Sequence, residues 1–376
     1  MKILHLIPSL EIGGAERLAF DICNELSTRV DIEIKLITFS DINDFGNRLF
    51  ICHVPASIQL SVFKKNKFDL TELQKEIELF QPDIIHSHLF LAEIVSRSCF
   101  YPNAQWFSHF HDNMPQLNRL KLSKIGSKSA ITNYYEKRYL YKRYRINGGS
   151  QFIAISQDAR QYASSVLPKH ARIHYLKNAI NYEAFYAPVK ELDESQSIQL
   201  INVGSFQKKK NQQFLIEVLR LLLAREVQCE LVFLGDGTEK ERVRQKVIEY
   251  GLENKVFFKG NVSNVKEYLQ QADIYVHSAY YEPFGLVLLE AMAAGLPVVC
   301  LNGGGNADIF QNGVNGFILE ETSPELFAER IEELVNSQKM FAQLAHEGQQ
   351  TAKKYGIGSY CDKLIGLYQE SLLKRK

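Results

Sequence analysis

The chain has 376 residues, 45% of them hydrophobic and 23% charged, with a net charge of +1. That length suits two domains, the balance is that of a soluble globular protein, and near-neutrality leaves no global field for nucleic acid. Six scattered cysteines, Cys23, Cys52, Cys99, Cys229, Cys300 and Cys361, form no C-x-x-C pair, which excludes a disulfide framework or a zinc ribbon and fits reduced, buried thiols in the cytosol.

In chain order, "KILHLI" (2–7) reads as a strand, and Ala15, Leu18, Ala19, Ile22 and Leu26 then fall at helical spacing. The opening run is broken by Pro8 and Glu11 and is too short for a signal peptide. No run approaches the roughly 20 apolar residues of a membrane span. A cytoplasmic location is expected, with room for peripheral contact at the inner face of the membrane. Further strands are expected at 32–39, 83–88, 104–110 and 152–156. A second series follows at 198–206, 229–235, 255–260, 273–279 and 297–302, and 323–373 reads as helix throughout. The polar, aperiodic stretch 187–197 between the series is a linker candidate. Alternation of apolar runs with helical patterns predicts an α/β protein of two doubly wound parallel sheets. Ligands of such sheets bind at the carboxyl ends of strands, so an interdomain site is expected.

Several loops carry residues suited to chemistry. Gly13 and Gly14 lie between the first strand and its helix, where backbone N–H groups and a helix N-terminus suit a phosphate or a sugar; an ordinary strand-to-helix turn has the same look. Lys208, Lys209 and Lys210 follow the strand expected to end at Phe206, where a diphosphate would need counter-charge; a solvated loop explains at least two of them. In "YYEPFGLVLLEAMAAGLPVV" (280–299) Glu290 interrupts a helix that is apolar almost all round and therefore expected to be buried. Either a structural partner or a vicinal hydroxyl pair, such as a ribose presents, would satisfy its carboxylate. The N–H groups of Gly285, Leu286 and Val287 open that helix and could hold a diphosphate, with Glu282 just before them. Gly303, Gly304 and Gly305 invite close backbone approach to a ligand. His109 and His111, like His86 and His88, are two apart on expected strands and face one way. His-x-His can bind a metal, but no third carboxylate stands at metal spacing; a neutral imidazole bonding a sugar hydroxyl is at least as good a reading, and a structural role is the plain alternative for any one of them, with function slightly ahead for His111 before Asp112 at a strand end.

These motifs, "GGAER" (13–17), "DIIHSH" (83–88), "FHDN" (110–113), "VGSFQKKKN" (203–211), "LGDG" (234–237), the E-x7-E pair Glu282 and Glu290 around "PFG", and "GGNADIFQNGVNGF" (304–317), resemble in order the landmarks of glycosyltransferase family 4 over nearly the whole chain. The resemblance implies the GT-B architecture, two Rossmann-like doubly wound domains facing an interdomain cleft. It divides the chain into an acceptor domain 1–186, a linker 187–197 and a nucleotide-sugar domain 198–356, with a helix at about 357–376 packing back on the first. It implies a retaining hexosyl- or N-acetylhexosaminyltransferase in surface polysaccharide or glycan biosynthesis. The donor is a UDP- or GDP-linked sugar serving as co-substrate, the acceptor a glycan or lipid-linked hydroxyl, and no cofactor or metal is required. His111 and Glu282 are then the catalytic candidates. Gly13, Gly14, Lys210, Phe284, Gly285, Leu286, Val287 and Glu290 contact the donor, with Glu290 on the ribose. Ser205 stands where the family commonly has an arginine phosphate clamp, Asp308 where a glutamate is usual and Ala307 where a proline is common. A sugar-nucleotide epimerase or a non-catalytic nucleotide-sugar binder are the competing readings.

One stretch stands apart. Between Arg119 and Arg145 there are nine Lys/Arg residues and one acid, Glu136, interleaved with tyrosines. This suits an anionic membrane surface, with Lys137, Arg138, Lys142 and Arg143 as its core; a solvated helical face is the plain alternative.

Overall fold

The computed structural model describes residues 1–61, 65–118, 127–145, 150–169, 171–193 and 196–374. The chain divides into two compact units, Met1–Asn178 with Ile357–Lys376, and Ala179–Gly356.

The first unit runs β1 (Lys2–Ile7), α1 (Gly14–Leu26), β2 (Glu33–Thr38), β3 (Ile51–His53), β4 (Ser57–Gln59), β5 (Lys67–Asp69), α2 (Thr71–Phe80), β6 (Ile84–His88), α3 (Leu89–Ser96), β7 (Gln105–Phe110), α4 (Lys128–Arg143), β8 (Gln151–Ala154), α5 (Gln157–Val166) and β9 (Arg172–Tyr175). Seven strands form one parallel sheet in the order β3-β2-β1-β6-β7-β8-β9, while β4 and β5 pair separately as an antiparallel hairpin. The central strands β6 and β7 are buried along their whole length, as parallel strands covered on both faces must be. Their polar residues, His86, Ser87, His88, Gln105, Ser108 and His109, are therefore committed to the interior.

The second unit runs α6 (Tyr182–Phe185), β10 (Ile198–Val203), α7 (Gln212–Ala224), β11 (Cys229–Leu234), α8 (Lys240–Glu249), β12 (Val256–Gly260), α9 (Val265–Gln271), β13 (Ile274–His277), α10 (Leu286–Ala293), β14 (Val298–Leu301), β15 (Phe317–Leu319), α11 (Pro324–Val335) and α12 (Gln338–Lys354). Its six parallel strands lie in the order β12-β11-β10-β13-β14-β15. In each sheet the strand order reverses once, between β1 and β6 and between β10 and β13. Such switch points open a crevice at the carboxyl strand ends. The Gly13–Gly14 loop follows β1, the lysine loop follows β10, and the "YYEPFG" loop follows β13.

Three boundaries differ from the expectation. The strand expected to reach Phe206 stops at Val203, because the next residues bond across to the "LGDG" loop: Gly204 N–H donates to Leu234 O and Phe206 N–H to Asp236 O, both at 2.9 Å. The segment 323–373 is three helices; Ser337 caps α12 by accepting from Met340 N–H, and Tyr355 and Gly356 separate α12 from α13 (Ile357–Leu373), which belongs to the first unit. The polar stretch 187–197 is strapped to the second unit where it is described, Lys190 pairing with Asp273 at 2.8 Å and Leu192 N–H donating to Gln338 Oε1 at 3.2 Å. The unit boundary accordingly falls at Asn178, ahead of α6, which packs on α10.

Candidate functional site

The candidate residues fall into two groups, one in each unit. In the second, β13 delivers His277 at its carboxyl end, and the lysine loop is stitched alongside: Ser278 Oγ donates to Lys210 O at 2.9 Å and Tyr280 N–H to Lys209 O at 3.1 Å. This places Lys210 Nζ 2.5 Å from Glu282 Oε2, while His277 Nε2 lies 3.0 Å from the same oxygen. Glu282 is 6% exposed. Burial alone would raise its carboxyl, but the Lys210 ammonium and the His277 hydrogen bond hold it well below the usual carboxylate range. Burial lowers His277 in turn, opposed by its bond to Glu282. Of the three lysines, Lys208 is exposed and Lys209 lies over the Tyr281 ring, 5.4 Å from its centroid. Lys210 is the one brought into the charged cluster.

Gly285 caps α10 in the left-handed region, φ +96, and a Cβ there would sit 2.5 Å from Leu288 Cδ1. Phe284, Leu286, Leu288, Leu289 and Ala291 to Ala294 are buried, whereas Val287 and Glu290 are partly exposed. Three residues apart, these two share one helix face. Glu290 is therefore not the buried carboxylate that the apolar run predicts; it emerges one turn in from the helix start, on the stripe that the core leaves uncovered. The glycine loop also departs from expectation. A Cβ on Gly305 would lie 1.8 Å from Pro283 O, and one on Gly303 would lie 2.8 Å from Glu282 N. Glu282 N–H donates to Gly303 O at 2.8 Å. Packing against the Glu282–Pro283 backbone accounts for these two glycines, and their role is to seat Glu282.

In the first unit α1 begins at Gly14, and its N-terminus is covered by its own side chain: a Cβ on Gly13 would fall 2.2 Å from Glu16 Oε2. Burial raises the Glu16 carboxyl, opposed by its own backbone N–H. The Glu16 tip can swing away, so this contact gives Gly13 no packing requirement of its own. His111, the residue after β7, is buried, with Nε2 2.8 Å from His88 Nδ1. Burial lowers it to about 3, so the ring is neutral at physiological pH.

The pattern of the family described as "Glycosyltransferase Family 4" matches residues 12–184, and that of "Glycosyl transferases group 1" matches residues 187–351. The chain belongs to the family 4 glycosyltransferases. The family 4 chain is 25% identical to the N-acetyl-alpha-D-glucosaminyl L-malate synthase of Bacillus anthracis, over 90% of this chain and 89% of that one. Its fold matches that of Anabaena Alr3699/HepE in complex with UDP, with TM-score 0.76 and 20% identity over 98% of this chain and 100% of the other. It also matches S. aureus TarM in complex with fondaparinux, alpha-GlcNAc-glycerol and UDP, with TM-score 0.75 and 16% identity over 98% and 99%. The architecture is thus GT-B.

Two residues of this glycosyltransferase escaped the sequence reading. His277 was counted only as part of a strand, although the spacing His277-x4-Glu282 across a strand end was a usable signal. His5 was counted only within the strand 2–7; its hydrogen-bond partners are His88 of β6 and Tyr368 of α13. In the basic stretch, residues 119–126 lie outside the described residues. On α4, Arg138 and Lys142 are exposed, whereas Lys137 Nζ donates to Leu117 O at 2.5 Å and Arg143 Nε to Tyr139 OH at 3.2 Å. No helix among the described residues is long and apolar enough to cross a membrane.

Proposed function

We propose that this glycosyltransferase moves a hexosyl or N-acetylhexosaminyl unit from a nucleoside-diphosphate sugar to a hydroxyl of a glycan or lipid-linked acceptor, with retention at the anomeric carbon and without a metal. The observation that carries the reading is the cluster of Lys210, Glu282 and His277 beside the start of α10, with Glu290 on that helix's open face. A diphosphate met by the α10 N-terminus and the Lys210 ammonium would have its charge offset at two points. Glu290 offers two oxygens to a vicinal diol, which matches a ribose one step from the phosphates. Glu282, fully ionised and held by two partners, is rigid enough to orient a sugar hydroxyl or stabilise positive charge on the reacting ring. Positioning and stabilisation of the leaving diphosphate are then the main contributions to rate.

UDP in the Anabaena and S. aureus complexes supports a uridine donor, and the name of the Bacillus relative supports the N-acetylhexosaminyl class. A bound donor raises stability by mass action. A panel of nucleotide sugars read by thermal unfolding would show one or a few UDP-sugars stabilising the wild type. No stabilisation by any nucleotide sugar, or equal stabilisation of Glu290→Ala, would contradict the reading. The exposed face of α4 supports a further part of it, docking on an anionic leaflet near a lipid-linked acceptor.

A further inference from the structure

Five histidines of the first unit share one buried face of three adjacent strands. His5 on β1 stands opposite His86 on β6, and His88 on β6 stands opposite His109 on β7; His111 follows. None is more than 7% exposed, and burial lowers every one of them. Their rings stack, His86 on His88 at 4.6 Å and His109 on His111 at 4.1 Å between centroids. Four of them join Tyr368 of α13 in one hydrogen-bonded chain. His86 Nδ1 is 2.5 Å from Tyr368 OH, Tyr368 OH is 3.4 Å from His5 Nε2, His5 Nδ1 is 2.8 Å from His88 Nε2, and His88 Nδ1 is 2.8 Å from His111 Nε2.

A neutral imidazole carries one proton, so it donates from one nitrogen and accepts at the other. That rule ties the directly linked imidazoles of His5, His88 and His111 to one common polarity. If His88 donates from Nδ1 to His111, its Nε2 must accept from His5 Nδ1–H; His5 Nε2 then accepts from Tyr368, which accepts from His86 Nδ1–H. In this polarity His111 carries its proton on Nδ1, and the far end is a bare His86 Nε2. In the reverse polarity His111 Nδ1 is bare, and the far end leaves an unpaired buried donor, either His86 Nε2–H or, where Tyr368 accepts from both His5 and His86, the Tyr368 O–H. Both terminal nitrogens are buried without a protein partner among the described residues. A buried donor left unpaired is the costlier orphan, and His86 lies deep in a central strand. The first polarity moves the unpaired donor to His111, at a strand end, where a ligand oxygen can take it. Two sets of these rings, His5, His86 and His88, and His88, His109 and His111, bring ligand nitrogens within 4.8 Å of one another, so a metal is the competing occupant; it would have to break the His5–His88 or the His88–His111 hydrogen bond.

We propose that His88, His5 and Tyr368 are positioning residues that hold His111 as the Nδ1–H tautomer, presenting a hydrogen-bond donor to an oxygen of the sugar substrate. The part concerning substrate rests on the reading of His111 as a residue close to the reacting sugar; the tautomer does not. The test is a long-range 1H–15N correlation spectrum of the full chain with 15N-labelled histidine at pH 7, His111 being assigned by the signals lost in His111→Gln. The chain predicts a protonated Nδ1 and a bare Nε2 for His111, with His5 and His88 of the same form. It also predicts that Tyr368→Phe converts His111 to a mixture of tautomers and lowers kcat while the KM for donor holds. A wild-type His111 protonated on Nε2 overturns the proposal without any variant having to fold. So does an unchanged tautomer in folded Tyr368→Phe, or one equivalent of metal whose removal shifts the imidazole signals. If His111 is Nδ1–H but His111→Gln transfers sugar at the full rate, the chain is upheld and the catalytic reading of His111 is what fails.

Discussion

Glu282 gathers two partners into one cluster, and its titration makes that cluster visible. Its folded carboxyl is held below its unfolded value of about 4.3. The stability it contributes is therefore full above pH 4.3 and is lost as pH falls further. Removing one partner of such a buried pair costs about 3 kcal/mol. Glu282→Gln should lower the unfolding temperature of the second unit at pH 7, and its deficit relative to wild type should shrink below pH 4. A deficit independent of pH would mean that the carboxylate charge is not what the cluster uses. The histidines titrate with the opposite consequence. Folded His5 and His111 stay neutral down to about 3, whereas unfolded imidazoles take up protons near 6.5. Each then costs the fold about 1.4 kcal/mol per pH unit below 6.5. Calorimetry should show the first unit losing stability steeply between pH 6.5 and 5, with less loss in His5→Phe; a flat profile would contradict neutral burial.

At the scale of elements, the glycine loop and α13 make opposite forecasts for the same substitution. Gly305→Ala puts a Cβ 1.8 Å from a backbone oxygen, and overpacking against backbone costs about 1–3 kcal/mol. It should destabilise the second unit and weaken donor binding by displacing Glu282. Gly366, inside α13, has nothing within 4 Å of the corresponding position, and Gly366→Ala should stabilise by roughly 0.5–1 kcal/mol. Thermal unfolding of the two variants checks both signs. On α4, the double variant Arg138→Glu and Lys142→Glu should release the chain from anionic vesicles at moderate salt, each basic side chain contributing about 1 kcal/mol near such a surface. Unchanged vesicle sedimentation would remove the membrane proposal. The strands were legible because buried parallel strands are unbroken apolar runs, as in Val298–Leu301. The histidine chain was not, because it depends on which strands become neighbours: His5 meets His86 through the β1–β6 register, which no local pattern encodes. Likewise Lys210 and Glu282 were each picked out, but their pairing across 72 positions was visible only once the β10 and β13 loops lay side by side.

At the scale of the molecule, two sheets with one reversal of strand order each place every motif loop at a carboxyl strand end. Alternation of apolar runs with helical patterns points to two doubly wound parallel sheets, and the family match agrees with it. Glu290 is partly exposed by virtue of helix phase, where the apolar run alone predicts burial, since such a run says how much of a helix is buried and not which stripe remains. That stripe is the centre of the functional account. Titration calorimetry of the wild type and of Glu290→Ala with the UDP-sugar that stabilises best tests it most directly. The account predicts saturable binding by the wild type, worth about 2.7 kcal/mol of added stability at a hundredfold excess over Kd, and loss of that binding in a Glu290→Ala chain that unfolds normally without ligand. Undiminished binding by Glu290→Ala would contradict it.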